Sequence, residues 1–157
     1  MNYISLIEEL KKRGSVPGLD AIEGLLEELG HPEDNLKVVH IAGTNGKGSI
    51  FAYLSSILIA AGFKVGRYIS PTISCYEERF QINGEYITKD ELARLYNIVE
   101  EAMKREEEKT GLKPTLFEVE TAISFLYFKE EKVDYALIEV GMGGRTVSYT
   151  HLTLPTI

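Results

Sequence analysis

Ten residues, His40 to Ser49 (HIAGTNGKGS), concentrate the residue types that phosphate chemistry needs. Gly43, Gly46 and Gly48 allow a backbone to approach an anion closely. Lys47 adds a full positive charge, and a helix beginning at this point would add the partial charge of its free N–H groups. Thr44, Asn45 and Ser49 supply further donors. The loop is not the common G-x-x-x-x-G-K-[ST] pattern: Ile41 stands where the first glycine belongs, and Gly48 separates Lys47 from Ser49. Its context is right nonetheless, with the apolar run KVVHIA before it and SIFAYLSSILIAAG after it.

Two further positions could share this chemistry. Glu139 ends the apolar run ALIEVG just before a second Gly-rich turn, GMGGR. A carboxylate there is costly to bury unless hydrogen-bonded or metal-bound. Backbone N–H groups of the turn would satisfy it. With a phosphate loop in the same sheet, Mg²⁺ ligation is favoured, because Mg²⁺ takes one or two carboxylates together with phosphates and water. Ser70, at YISP, is either a hydroxyl ligand for that ion or the start of a Ser-Pro turn. Arg79 either pairs with Glu77 and Glu78 or orients a substrate carboxylate.

The elements that must position these groups follow from periodicity. Residues 2–13 and 18–29 read as amphipathic helices stopped by Gly14 and Gly30, with Pro32 beyond the second. Residues 37–42 form a buried strand, 49–61 the helix after the loop, and 64–69 a second strand. Strand, helix and strand with short connections imply a parallel βαβ unit. RFQINGEYI carries a hairpin turn at Asn83-Gly84. Thr88 with Glu91, and Thr115 with Glu118, read as capping boxes. They open a helix over 89–109, ending in the charged run KREEEK, and an apolar helix, VETAISFLYF. Residues 133–140 are apolar enough to be buried on both faces of a sheet. The expected fold class is α/β.

Composition narrows the partners. The chain has 157 residues, 44% hydrophobic and 26% charged, with net charge −7, which disfavours nucleic acid and anionic membrane. The run ILIAAGF is far too short to span a bilayer. The lone Cys75 and the absence of a signal-like segment point to a reducing, cytoplasmic setting.

The variant loop GTNGKGS resembles the ATP loop of the Mur ligase superfamily, and within it the folylpolyglutamate/dihydrofolate synthase branch. GLDAIEGLLEELG is similar to that family's N-terminal folate-site helix, ISPTISCYEERFQING to its Ser-Pro motif (with Thr72 where His is usual), and TLFEVETAISFLYF to the block lining its pterin pocket. LIEVGMGGR resembles the block holding its acidic Mg²⁺ ligand. The resemblance implies a three-layer P-loop fold with a mainly parallel sheet. It implies that Gly43, Thr44, Asn45, Gly46, Lys47, Gly48 and Ser49 bind ATP, with Lys47 the catalytic position that steadies the γ-phosphoryl charge. Ser70 and Glu139 would hold Mg²⁺. Thr115, Phe117 and Glu118, with Gly18, Leu19 and Asp20, would line the folate or dihydropteroate site. The implied reaction is ATP-dependent addition of L-glutamate through an acyl phosphate, in a monomeric parent enzyme.

The resemblance covers residues 1–145 and stops at Arg145. The tail at 146–157, TVSYTHLTLPTI, reads as sequence foreign to the family, joined to a truncated reading frame, so the chain is expected to be catalytically incompetent alone. Two other readings stay open on the residues themselves: a different P-loop small-molecule kinase, and a non-catalytic nucleotide-binding module.

Overall fold

The structure, a computed structural model, describes residues 3–14, 19–42 and 45–139. The expectations for Gly18, Gly43, Thr44, the GMGGR turn and the 146–157 tail lie outside the described residues.

Five strands form one sheet in the order β1-β5-β2-β3-β4, with β1 at Val38–Ile41, β2 at Val65–Tyr68, β3 at Phe80–Ile82, β4 at Glu85–Tyr86 and β5 at Tyr135–Glu139. The β1, β5 and β2 strands are mutually parallel, while β3 and β4 add an antiparallel hairpin outside β2. The sheet is therefore mixed, and its parallel part carries the site. The first and second strands are not neighbours: β5, the last in the chain, lies between them. The hairpin turns where expected, with Asn83 and Gly84 both at positive φ, the backbone that a tight two-residue turn requires.

Alternation along the strands sorts the core into two layers. Ile41, Val65 and Leu137 face α3 (Lys47–Ala60) and pack on Phe51. Val38, Tyr68, Ala136 and Ile138 face the opposite way. There they meet α1 (Tyr3–Lys12), α2 (Asp20–Glu28), α4 (Lys89–Thr110) and α5 (Leu116–Glu130). Ala136, Leu137 and Ile138 have no exposed surface, as expected of a strand covered on both faces. The result is the expected three-layer α/β arrangement.

Two boundaries depart from the sequence expectation for identifiable reasons. The helix after the loop begins at Lys47, two residues early, because Gly48 lies inside its first turn despite its poor helix propensity. Thr88 caps α4 by accepting the Glu91 N–H at 3.2 Å, but the Glu91 carboxylate turns to Arg94 instead of back to the cap. Only Thr115 and Glu118 complete a reciprocal capping box.

Candidate functional site

The carboxyl ends of β1, β2 and β5 lie side by side, the position where open α/β sheets bind ligands. Glu139 is the last residue of β5. Its Oε2 accepts the Ser70 backbone N–H at 2.9 Å, and its Oε1 lies 3.7 Å from Lys47 Nζ. One carboxylate therefore brings together the three segments that sequence reasoning singled out separately. Both charged side chains are mostly shielded, 22% exposed for Lys47 and 13% for Glu139, which strengthens their interaction relative to a surface pair.

The start of α3 is shaped for an anion. Gly46 precedes it at φ +81°, a left-handed conformation that favours glycine, and as the N-cap residue it has no side chain with which to cap the helix. Gly48 has no positive φ, and among the described residues no side chain or neighbouring element stands within 4 Å of where its Cβ would be, so the backbone there is open to approach. Asn45, Gly46, Gly48 and Ser49 are exposed. Among the described residues no three His, Cys, Asp or Glu side chains gather into a metal cage. A single carboxylate beside a phosphate loop suits Mg²⁺, which completes its shell with phosphate oxygens and water.

The residues expected at a folate site divide. The Glu118 carboxylate accepts the Thr115 N–H at 2.7 Å and its hydroxyl at 2.8 Å, so both buried side chains are engaged in starting α5. Phe117 is half-buried and its ring lies 6.3 Å from that of Tyr68, at the β2 end that leads to Ser70. Leu19 packs on the core. Asp20 is exposed and borders a cavity of about 590 Å³ between α2 and α4, with Glu23, Glu27 and Glu106. None of Lys47, Ser70, Glu139 and Phe117 lines that cavity.

Among the described contacts Arg79 pairs with neither Glu77 nor Glu78. Glu78 instead accepts the N–H groups of Ile73 and Ser74, at 2.8 and 2.9 Å. Those bonds hold its carboxyl below the usual range. Arg79 pairs with the buried Glu120 of α5 at 3.3 Å. Glu120 also accepts the hydroxyls of Tyr76 at 2.5 Å and Tyr68 at 3.3 Å. Burial pushes its carboxyl upward, while Arg79, Tyr76 and Tyr68 oppose that shift. The sequence signal for this cluster was available: an acid in the middle of an apolar helix, the same anomaly that marked Glu139.

Comparison with known proteins gives one answer. No protein-family model matches the chain. It is 42% identical over 135 residues to the dihydrofolate synthase/folylpolyglutamate synthase of Bacillus subtilis, covering 85% of this chain and 31% of that protein. The crystal structure of folylpolyglutamate synthase from Thermotoga maritima superposes with a TM-score of 0.86 at 40% identity, over 98% of this chain and 36% of that one. An FPGS–AMPPCP–folate complex superposes with a TM-score of 0.89 at 35% identity, over 98% and 38%. The chain thus spans about a third of the length of the relatives it matches. In sequence and in fold, it belongs with the folylpolyglutamate/dihydrofolate synthases.

Proposed function

We propose that this chain is the nucleotide-binding part of an ATP-dependent ligase that adds L-glutamate to a folate or to dihydropteroate. The observation that carries this reading is the meeting of Lys47, Ser70 and Glu139 beside the start of α3. Support comes from the relative bound to both AMPPCP and folate. The N–H groups of Gly46 to Ser49 and the Lys47 ammonium hold the ATP phosphates. Glu139 and Ser70 hold Mg²⁺, which when bound neutralises phosphate charge. Phe117 offers ring surface to a pterin, and Thr115 and Glu118 contribute by fixing the start of the helix that carries it. Gly18, Leu19 and Asp20 are proposed for the folate site on the family resemblance alone.

A substrate carboxylate oxygen attacks the γ-phosphorus of ATP, ADP leaves, and an acyl phosphate forms. The glutamate amine then attacks the acyl carbon, phosphate leaves, the amide remains and the amine loses a proton. The chain's contribution is positioning and charge neutralisation, which dominate phosphoryl transfer. A cytoplasmic setting suits the free thiol of Cys75. The polypeptide by itself is proposed to bind nucleotide without turnover.

Calorimetric titration of the chain with AMPPCP and Mg²⁺ tests the reading. Saturable binding that Lys47→Ala and Glu139→Ala each weaken at least about tenfold is expected, the loss typical of removing a charged hydrogen-bonding group. Absence of binding by the unaltered chain refutes it.

A further inference from the structure

We propose that Glu120 is a positioning residue that sets the place of the Ser70 loop relative to Glu139. Its functional meaning rests on the reading above, but its geometry does not. The loop runs from Ile69 to Cys75, between β2 and the short 3-10 turn Tyr76–Arg79. Glu120 grips both ends. Tyr68, two residues before Ser70, donates to its Oε2, as the Arg79 ion pair also reaches that oxygen. Tyr76 donates to its Oε1, and the Tyr76 and Tyr96 hydroxyls lie 2.6 Å apart. With the Tyr76 proton directed to Glu120, Tyr96 on α4 donates to Tyr76. Helices α4 and α5 are thereby tied to both flanks of the loop through one carboxylate.

The arrangement joins the two sides of the site. Glu120 is one turn along α5 from the Thr115–Glu118 capping box and Phe117. At its other reach, Tyr68 leads directly to Ser70, whose N–H is held by Glu139. Glu120 is 3% exposed and Tyr68 has no exposed surface, so loss of the Glu120 acceptor takes a hydrogen bond from a buried hydroxyl, while Tyr76 and Arg79 are partly buried. Among the described residues the loop then keeps the Ile69 N–H bond to the Arg79 carbonyl at 3.1 Å, its bonds to Glu78 and the Ser70 bond to Glu139, while its flanks lose their shared anchor on α5. A carboxylate whose sole task was packing would show no preference for the two flanks of one loop.

The test uses the complete 157-residue chain with Glu120→Gln and Glu120→Leu. Glutamine keeps the shape but cannot accept with both termini, and leucine removes the acceptors altogether. Hydrogen exchange is read at the Ser70 amide and, as reference, at Leu137 and Ile138 in β5. The expected result in Glu120→Gln is exchange at Ser70 faster by about tenfold, with the β5 amides unchanged and Mg²⁺–AMPPCP affinity lowered by a similar factor. Equal acceleration at Ser70 and in β5 would mean general destabilisation and would overturn the proposal, as would unchanged exchange at Ser70. If Glu120→Leu does not fold, Glu120→Gln decides alone. If the unaltered chain binds no AMPPCP, the functional reading fails, and the exchange data still judge Glu120.

Discussion

Replacing Gly66 by alanine probes how α5 is set against the sheet. Gly66 lies in β2, paired with Ala136 of β5 and Ile82 of β3. A Cβ built there stands 2.6, 2.8 and 2.9 Å from three ring carbons of Phe128, against about 3.5–4.0 Å for an ordinary carbon contact. Phe128 has no exposed surface, so the ring has no solvent to swing into, and either it or α5 must retreat by about 1 Å. Overpacking of this kind costs about 1–3 kcal/mol. Removing a glycine from a strand returns about 0.5–1 kcal/mol. The net expectation is a loss of up to about 2.5 kcal/mol, centred on about 1 kcal/mol, which is about 2–4 °C in Tm for a chain of this size. Urea unfolding followed by circular dichroism measures it. Phe128→Leu opens the space, so the double variant should lose at least about 1 kcal/mol less than the sum of the two single losses. A stabilising Gly66→Ala, or strict additivity in the double variant, would refute the close approach of α5 to β2.

Three other expectations concern separate parts of the molecule. Lys47→Met should lower Mg²⁺–AMPPCP affinity at least about tenfold, read by calorimetry, and should cost about 1 kcal/mol of stability by removing the cation beside the shielded Glu139 carboxylate, read by urea titration. Thr115→Val should cost about 1 kcal/mol by removing the hydroxyl side of the α5 cap, read as a lower Tm, and an unchanged Tm would contradict the reciprocal box. Burial holds the His40 imidazole down at about 4, against 6.5 in an unfolded chain. Between those values the unfolded state binds the extra proton, so the His40 contribution is intact above pH 6.5 and declines toward pH 4, by up to about 3 kcal/mol. His40→Asn should flatten that slope, and an imidazole resonance titrating above pH 6 would disprove the shift.

The sequence was most legible where one segment contains all the interacting groups. The strand before the Gly-rich loop and the helix after it are local patterns, and so is the Thr115–Glu118 box. The contrast with Thr88–Glu91 shows the limit of such reading. Arg94, three residues after Glu91, captures its carboxylate, whereas the residue three after Glu118 is Thr121, which cannot. Glu139 was suspected as a ligand from its burial cost, but its bond to the Ser70 backbone joins positions 69 residues apart and follows only from the strand order. The acid inside an apolar helix marks Glu120 as needing a partner, but nothing local indicates that Arg79, on the far side of α4 in the chain, is within its reach. The hairpin placed its turn correctly, while its antiparallel addition beside β2 depended on the sheet as a whole.

The strand order also governs when the site comes into existence during synthesis. Strands β1 and β2 pair with β5 and not with each other. Until residues 135–139 leave the ribosome, the segment bearing Lys47 and the segment bearing Ser70 have no strand between them to align on. The helices on one side can gather earlier, through contacts among α1, α2 and α4. The parallel centre must await a long-range insertion, the slow kind of closure for a chain. A nascent chain halted before Tyr135 would therefore carry Lys47 and Ser70 and still lack the carboxylate that brings them together.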